Sequence, residues 1–267
     1  MHQIENALPI SISMKTYELH LWFADMRAFA HTDMANECLA LLSANEKDRL
    51  AKIKSSAHKQ RFLITRATVR KVLALYLQDV SPQSIIFATN QFGRPLLAEN
   101  PCHLEFNLSH SNDQLVIGIT HTRSLGVDIE FIDRSRDFAR IAQHYFHPNE
   151  WGSSAMDEPL NTNDDLAERF YRLWTLKEAF IKAESKGLFM PIDSFYFEGQ
   201  DPCRPNLVIP NRNAPSTKNW VFKHTLLNPE YSVALAVEDI GDHAVIEVVA
   251  RQYNPLHTYS EIDFTHL

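Results

Sequence analysis

The sequence predicts an α+β fold in two similar lobes, each a small, mainly antiparallel sheet packed with helices. Three observations predict it. Segments with period-two apolar alternation interleave with segments of helical period. FNLSHSNDQLVIGIT and FKHTLLNPEYSVALAV both read strand, polar turn, strand, and each closes one half of the chain. No glycine-rich phosphate loop occurs, which disfavours the Rossmann and P-loop classes.

The elements follow in order. KTYELHLWFAD (15–25) alternates Tyr17, Leu19, Leu21 and Phe23, the pattern of a half-buried strand. One helix is expected from Met34 to Ile53. A second is expected over 58–78, where Phe62, Thr65, Val69, Val72, Leu73 and Tyr76 recur at helical spacing. SIIFATNQFGRPLL reads as a strand, a turn at Asn90–Gly93 and an extended piece stiffened by Pro95. Residues 103–122 read strand, turn at Ser111–Asp113, strand, and 123–132 form another short strand. Helices are expected over 138–146 and 167–184, the second stopped at Lys186–Gly187, with a loop over 152–165. Strands recur in PIDSFYFEG, KNWVFKHTLL and EYSVALAVED. The lobes are expected to span 15–122 and 123–240, leaving 241–267 as an extension without an assigned role.

Composition sets bounds on function. Of 267 residues, 45% are hydrophobic and 22% charged, enough apolar material for a core. Cys38, Cys102 and Cys203 are an odd count without metal-type spacing, so a reducing cytoplasm is expected and neither disulfide framework nor zinc site. The N-terminus lacks the pattern of a signal peptide, and no apolar run approaches the roughly 18 residues of a membrane span. A net charge of −7 argues against general affinity for nucleic acid. Yet nine of the 26 Lys and Arg crowd into 47–71: Lys47, Arg49, Lys52, Lys54, Lys59, Arg61, Arg66, Arg70 and Lys71. Such a run reads either as a solvated helix face or as a local anion site, for instance for a phosphorylated cofactor.

Four segments hold residues able to do chemistry. In GVDIE (126–130), a strand would send Asp128 and Glu130 to one face and Val127 and Ile129 to the other. Either that face is exposed, or a cation bridges the carboxylates; oxygen-only ligands would select Mg²⁺ or Mn²⁺. In FYRLWTLKEAFIKAESKGL (170–188), Trp174, Glu178 and Lys182 fall on one helical face, and Lys177 lies about 100° round from Glu178. An ordinary Glu–Lys pair is one reading. However, the apolar residues Phe170, Leu173, Leu176, Ala179, Phe180 and Ile181 leave little polar face for these charges. NLSHS (107–111) sets His110 between Ser109 and Ser111 beside a tight turn, where hydroxyls, imidazole and backbone N–H groups can meet an anion. FHPNE (146–150) adds Glu150, a lone loop carboxylate of the kind that usually faces solvent.

The order FNLSHS, GVDIE, HYFHPNE, WTLKEAFIKAESKGL resembles the 4′-phosphopantetheinyl transferases, specifically the larger, two-lobed Sfp type, over about residues 15–238. FGRPLL looks like the Gly-Lys/Arg-Pro element of that family. The resemblance implies two lobes related by a pseudo-twofold axis in a monomer, with the active site at their interface. It implies transfer of the phosphopantetheine arm of coenzyme A to a serine of an apo acyl or peptidyl carrier protein, releasing adenosine 3′,5′-bisphosphate. Asp128, Glu130 and Glu178 would hold Mg²⁺, with Mn²⁺ as an alternative. Lys182 would touch the phosphates, Ser109 and His110 the diphosphate and 3′-phosphate, and Arg61, Arg94 and Lys177 coenzyme A. Glu150 resembles the proposed proton acceptor, and Glu130 and Lys182 also belong to the implied catalytic set. Trp174 reads equally as core packing. A catalytically silent coenzyme A or carrier-binding module is the rival reading, against which the three carboxylates argue. A Mg²⁺-dependent nuclease is a second, disfavoured by the acidic charge.

Overall fold

A computed structural model describes residues 6–7, 11–29, 32–151, 163–185, 190–198, 205–210, 218–241, 246–255 and 258–262. The expected helix stop at Lys186–Gly187, most of the expected 152–165 loop and Cys203 lie outside the described residues. The first part of the chain forms β1 (Asn6–Ala7), β2 (Glu18–Asp25), α1 (Thr32–Leu41), α2 (Ala44–Lys52), α3 (Ser56–Ala74), β3 (Phe87–Thr89), β4 (Pro95–Leu97), β5 (Leu104–Ser111) and β6 (Gln114–His121). The second forms β7 (Leu125–Phe131), α4 (Phe138–Tyr145), α5 (Pro148–Trp151), α6 (Asn163–Ala183), β8 (Tyr196–Glu198), β9 (Asn206–Val208), β10 (Asn219–Leu227), β11 (Tyr231–Asp239), β12 (Glu247–Asn254) and β13 (Thr258–Ile262).

These make an α+β architecture with two main sheets, ordered β1-β13-β12-β2-β6-β5 and β10-β11-β7. Side-chain parity arranges them in four layers. Leu19, Leu21 and Phe23 of β2, with Val116 of β6, face Leu125, Val127 and Ile129 of β7 and Val233, Leu235 and Val237 of β11, forming a core between the sheets. The opposite parity, Trp22 and Ala24 of β2 with Leu115, Ile117 and Ile119 of β6, packs under α1 and α3. On the second sheet the opposite parity, Ala234 and Ala236 with Phe222, packs under α6 and α4. The two sheets therefore meet through buried apolar surface. The expectation of a half-buried strand at 15–25 is corrected here: helices cover one face of β2 and the second sheet covers the other, so all of Glu18 to Ala24 is buried.

Two other expectations change. The single helix over 34–53 is broken at Ser43, because Ser-Ala-Asn-Glu makes a capping box. Ser43 Oγ accepts from the Glu46 N–H, and Glu46 Oε2 accepts from the Ser43 N–H at 2.9 Å. Residues 247–262, unassigned from sequence, form the β12–β13 hairpin, with β12 parallel to β2 from Glu247↔Glu18 to Tyr253↔Ala24.

The chain crosses between sheets after β6, with Thr122 at φ 58° and the buried Arg123 donating to the carbonyls of Thr16 and Glu238. Two glycines let the layers close. A Cβ on Gly118 would lie 2.7 Å from both Leu125 Cδ1 and Val127 Cγ1. A Cβ on Gly126 would fall inside contact distance of the Ala179 carbonyl oxygen and 2.5 Å from the Ala183 nitrogen. Gly126 is thus what allows the α6 backbone to lie against β7. Gly126→Ala should lower folding stability by at least about 2–3 kcal/mol, as overpacking against rigid backbone does; a urea midpoint equal to that of the natural chain would contradict this close approach.

Candidate active site

The site begins with an edge that is not a ladder. β5 ends one sheet and β7 ends the other, and side chains rather than backbone groups connect them. Asn107 Oδ1 accepts from the Val127 N–H at 2.9 Å. Ser109 Oγ donates to Asp128 Oδ1 at 2.7 Å, and Ser111 Oγ donates to Glu130 Oε2 at 2.8 Å while accepting from the Phe131 N–H at 3.0 Å. The three are consecutive same-face residues of a strand.

From the other side α6 brings Lys182, whose Nζ donates to Asp128 Oδ1 at 2.6 Å and to Ser109 Oγ at 2.9 Å. Glu178, one turn earlier, shares this neighbourhood. Its carboxyl is raised by burial and then by the negative charge of Asp128, with Lys182 opposing. Glu130 is raised from its ordinary 4.5 to about 7, first by burial, then by Asp128. One ammonium thus faces three coupled carboxyl groups.

Among the described residues no group of three His, Cys, Asp or Glu side chains is arranged to hold a metal ion as it stands. The donor set nonetheless fits one. Asp128 is 2% exposed, and its Oδ2 is buried with no hydrogen-bond partner, an unmet acceptor between two carboxyls whose ionised forms repel it. A hard divalent cation, which takes oxygen ligands, would satisfy all three at once.

Asn107, Leu108 and His110 of β5 border a basic cleft. A cavity of about 490 Å³ is lined by Arg49, Arg61 and Arg66, by His58 and His110, and by the apolar Phe62 and Leu108 among others. Arg49 and Arg66 flank the Phe62 ring, 5.5 and 5.6 Å from its centroid. Arg61 makes no hydrogen bond or ion pair among the described residues, and its charge, after desolvation, lowers the His110 pKa. The basic run 47–71 therefore divides. Lys47, Lys52, Lys54 and Lys59 are exposed, whereas Arg49, Arg61 and Arg66 line the cleft. Arg70 is buried on Glu46 and the carbonyls of Pro82 and Ile85. Those lysines thus form the solvated face, and Arg49, Arg61 and Arg66 gather at the cleft.

Three expected site residues are placed elsewhere. Arg94 Nη1 donates to the Lys182 carbonyl and Ser185 Oγ, and Nη2 to the carbonyls of Phe106 and Leu125. Its guanidinium staples the C-terminal end of α6 to β5 and β7 instead of facing a cofactor. Glu150 is not solvent-facing: it pairs with Lys177 at 2.8 Å, with neither side chain exposed. Neither residue exchanges a hydrogen bond or ion pair with Asp128, Glu130, Glu178 or Lys182. The cause is α6 itself, which points Lys177 about 100° away from Glu178, into the core beneath the second sheet. Trp174 packs in that core, stacked on Phe170 at 5.8 Å.

Sequence reasoning did not single out Asn107, Ser111 and Gly126, nor Arg49, His58 and Arg66 within the basic run. The alternation Asn107-Ser109-Ser111 was the available signal for the first two.

The 4′-phosphopantetheinyl transferase superfamily matches residues 124–236, the stretch that carries β7, α6 and β11. The 4′-phosphopantetheinyl transferase HetI of Nostoc sp. is 29% identical over 184 residues, 67% of this chain and 74% of the relative. In Bacillus subtilis, 4′-phosphopantetheinyl transferase ffp is 29% identical over 197 residues, and 4′-phosphopantetheinyl transferase Sfp is 27% identical over 198. Each alignment covers 74% of this chain and 82% of the relative. A crystal structure of a holo-(acyl-carrier-protein) synthase from Bacillus anthracis in complex with coenzyme A aligns at TM-score 0.33 and 19% identity, covering 43% of this chain and 94% of that one, too slight a likeness to argue from.

The raised Glu130 carboxyl sets a sign for pH effects. Between its ordinary 4.5 and about 7, the folded protein holds a proton that the unfolded chain has released. Stability of the metal-free protein should therefore fall as pH rises through that window. A divalent cation must expel the proton, so its affinity should strengthen with pH, by at most about tenfold per unit, and level off above neutrality. Calorimetric titration with Mn²⁺ across this range checks it; an affinity independent of pH would remove Glu130 from the cation's surroundings.

Proposed function

We propose that the chain is a 4′-phosphopantetheinyl transferase of the Sfp type, as its likeness to HetI, ffp and Sfp supports, and that it transfers the phosphopantetheine arm of coenzyme A to a serine hydroxyl of an apo acyl or peptidyl carrier protein. The observation that carries this reading is that β5 serves two chemistries at once: Asn107, Ser109 and Ser111 engage the β7 edge, while Leu108, His110 and Asn107 itself border a cleft lined with arginines. A substrate with a nucleotide at one end and a pyrophosphate link next to its transferable arm suits that layout.

Asp128, Glu130 and Glu178 would hold Mg²⁺ or Mn²⁺. When bound, the cation neutralises charge gathering on the pyrophosphate oxygens as the link breaks. Lys182, already oriented by Asp128 and Ser109, supplies a fixed positive charge beside the departing phosphate, where a preorganised donor is most effective. Arg61, with Arg49 and Arg66, draws the nucleotide phosphates into the cleft, and His110 donates from the strand that separates cleft from carboxylates. The carrier serine oxygen bonds to the phosphorus attached to pantetheine, and the bond from that phosphorus to the bridging oxygen breaks, releasing adenosine 3′,5′-bisphosphate. The serine proton leaves by way of water. The half-buried Glu130, unlike the buried Asp128, keeps surface from which to receive it. The enzyme is read as a cytoplasmic monomer; among the described residues no helix is long and apolar enough to cross a membrane.

Incubation with coenzyme A, Mg²⁺ and a panel of apo carriers, followed by mass spectrometry, should add one phosphopantetheine to at least one carrier. Binding of coenzyme A without mass gain on any carrier would favour a silent module. Asp128→Ala and Glu178→Ala should each lower turnover by at least about a thousandfold with the fold retained, on the scale of losing an electrostatic centre. Near-normal turnover in either would refute the carboxylate assignment. Arg61→Ala and His110→Ala should each weaken coenzyme A binding by about tenfold, the worth of one charge-assisted contact, and unchanged titrations would refute the cleft assignment.

A further inference from the structure

Glu150 and Lys177 have no room to do chemistry. Their side chains meet at 2.8 Å with 0% of either exposed. Glu150 Oε1 accepts from the Phe197 N–H at 2.7 Å, and Oε2 accepts from the His147 N–H at 3.2 Å as well as from Lys177. Lys177 Nζ also donates to the carbonyls of Ile192 at 2.8 Å and Phe195 at 2.6 Å, giving its three protons three acceptors. The ammonium sits 4.3 Å from the Phe195 ring centroid and 5.9 Å from that of Phe146. A proton acceptor for an incoming hydroxyl must face that hydroxyl, directly or through one water. Glu150 faces only this chain.

The pair does join three segments that covalent connection leaves far apart: α5, α6 and the stretch 192–197. On α6 it holds the flank about 100° from Glu178. Gly126 holds the flank at Ala179 and Ala183 against β7. Between them they oppose a turn of the helix about its axis. A turn of about 20° would carry a carboxylate some 5–6 Å from that axis by about 2 Å, and a misplacement of about 1 Å can cost a hundredfold in rate.

We propose that Glu150 and Lys177 are a positioning pair: their buried contact sets the rotation of α6 that turns Glu178 toward Asp128, and Glu150 is not the proton acceptor of the transfer. The proposal rests on the transferase reading for its kinetic part and on geometry alone for the rest. It corrects the role that family resemblance implies for Glu150.

The test compares E150Q, K177M and the double variant E150Q/K177M, using urea denaturation, Mn²⁺ binding by electron paramagnetic resonance without coenzyme A, and transfer over a range of Mg²⁺. Removing one partner strands a buried charge, so K177M should lower the folding equilibrium constant by about two to three orders of magnitude. The double variant, without a stranded charge, should recover at least about tenfold of that. Mn²⁺ affinity should fall several-fold in E150Q and K177M, a change that loss of stability alone would not produce in the folded fraction. Turnover lost in E150Q should return with excess Mg²⁺, with the pH profile of the rate unchanged. If E150Q loses about 10²–10⁴ in turnover, the range of general-base catalysis, at every Mg²⁺ concentration while binding Mn²⁺ normally, Glu150 is the base and the proposal is overturned. Normal Mn²⁺ binding in both single variants would overturn the positioning role as well. Should K177M not fold, E150Q and the double variant decide by the same readouts. Absence of transfer by the natural chain would count against the transferase reading, while the Mn²⁺ and denaturation results would still judge the pair.

Discussion

Everything at the site depends on β5 meeting β7 through side chains and not through a backbone ladder. A continuous ladder would merge the two sheets and occupy the β7 backbone groups that Asn107 and Ser111 now reach. Short polar side chains hold the edges apart and set the register. Asn107 answers Val127, Ser109 answers Asp128 and Ser111 answers Glu130. That register turns the Asp128 and Glu130 side chains toward α6, while Val127 and Ile129 enter the core between the sheets. The carboxylate cluster is therefore a by-product of how the sheets join, and it needs the small residue Gly126 to let α6 come close enough to add Glu178 and Lys182.

Two lysines on α6 show how the same residue type serves opposite ends. Lys177 is fully enclosed, and every donor is matched by an acceptor of this chain, so its charge is spent on structure. Lys182 keeps 26% of its side chain exposed and shares its acceptors with a carboxylate that has a spare oxygen. Only the second keeps surface from which its partners can change. Arginines divide in the same way: Arg70 and Arg94 end on carbonyls and carboxylates of the chain, whereas Arg61 stands at the cleft. In a chain of net acidic charge, the cleft gathers Arg49, Arg61 and Arg66 at one place.

Much of the fold could be read from periodicity. The strands around 18–25, 104–121 and 219–239 and the long helices near 56–74 and 163–183 fall where the alternating and helical patterns place them. The misses have local and non-local causes. The break at Ser43 lay in a capping box overlooked inside a helical pattern. Burial of both faces of β2 depends on a second sheet that period-two alternation cannot announce. The β12–β13 hairpin gains its place only by pairing with β2, more than two hundred residues earlier in the chain.

By itself the sequence determined which side chains share a face: Asp128 with Glu130, and Glu178 with Lys182. It also located the excess of positive charge, because facing and charge follow from residue spacing along one element. Only the tertiary structure decided which charges find partners inside the chain and which remain available. Arg94, Glu150 and Lys177 had been read as ligand contacts or catalyst and proved to be internally paired. The reason is physical: a charge can be buried only where its counter-charge or acceptors are also brought. Those partners come from other elements, so no spacing within one element reveals them.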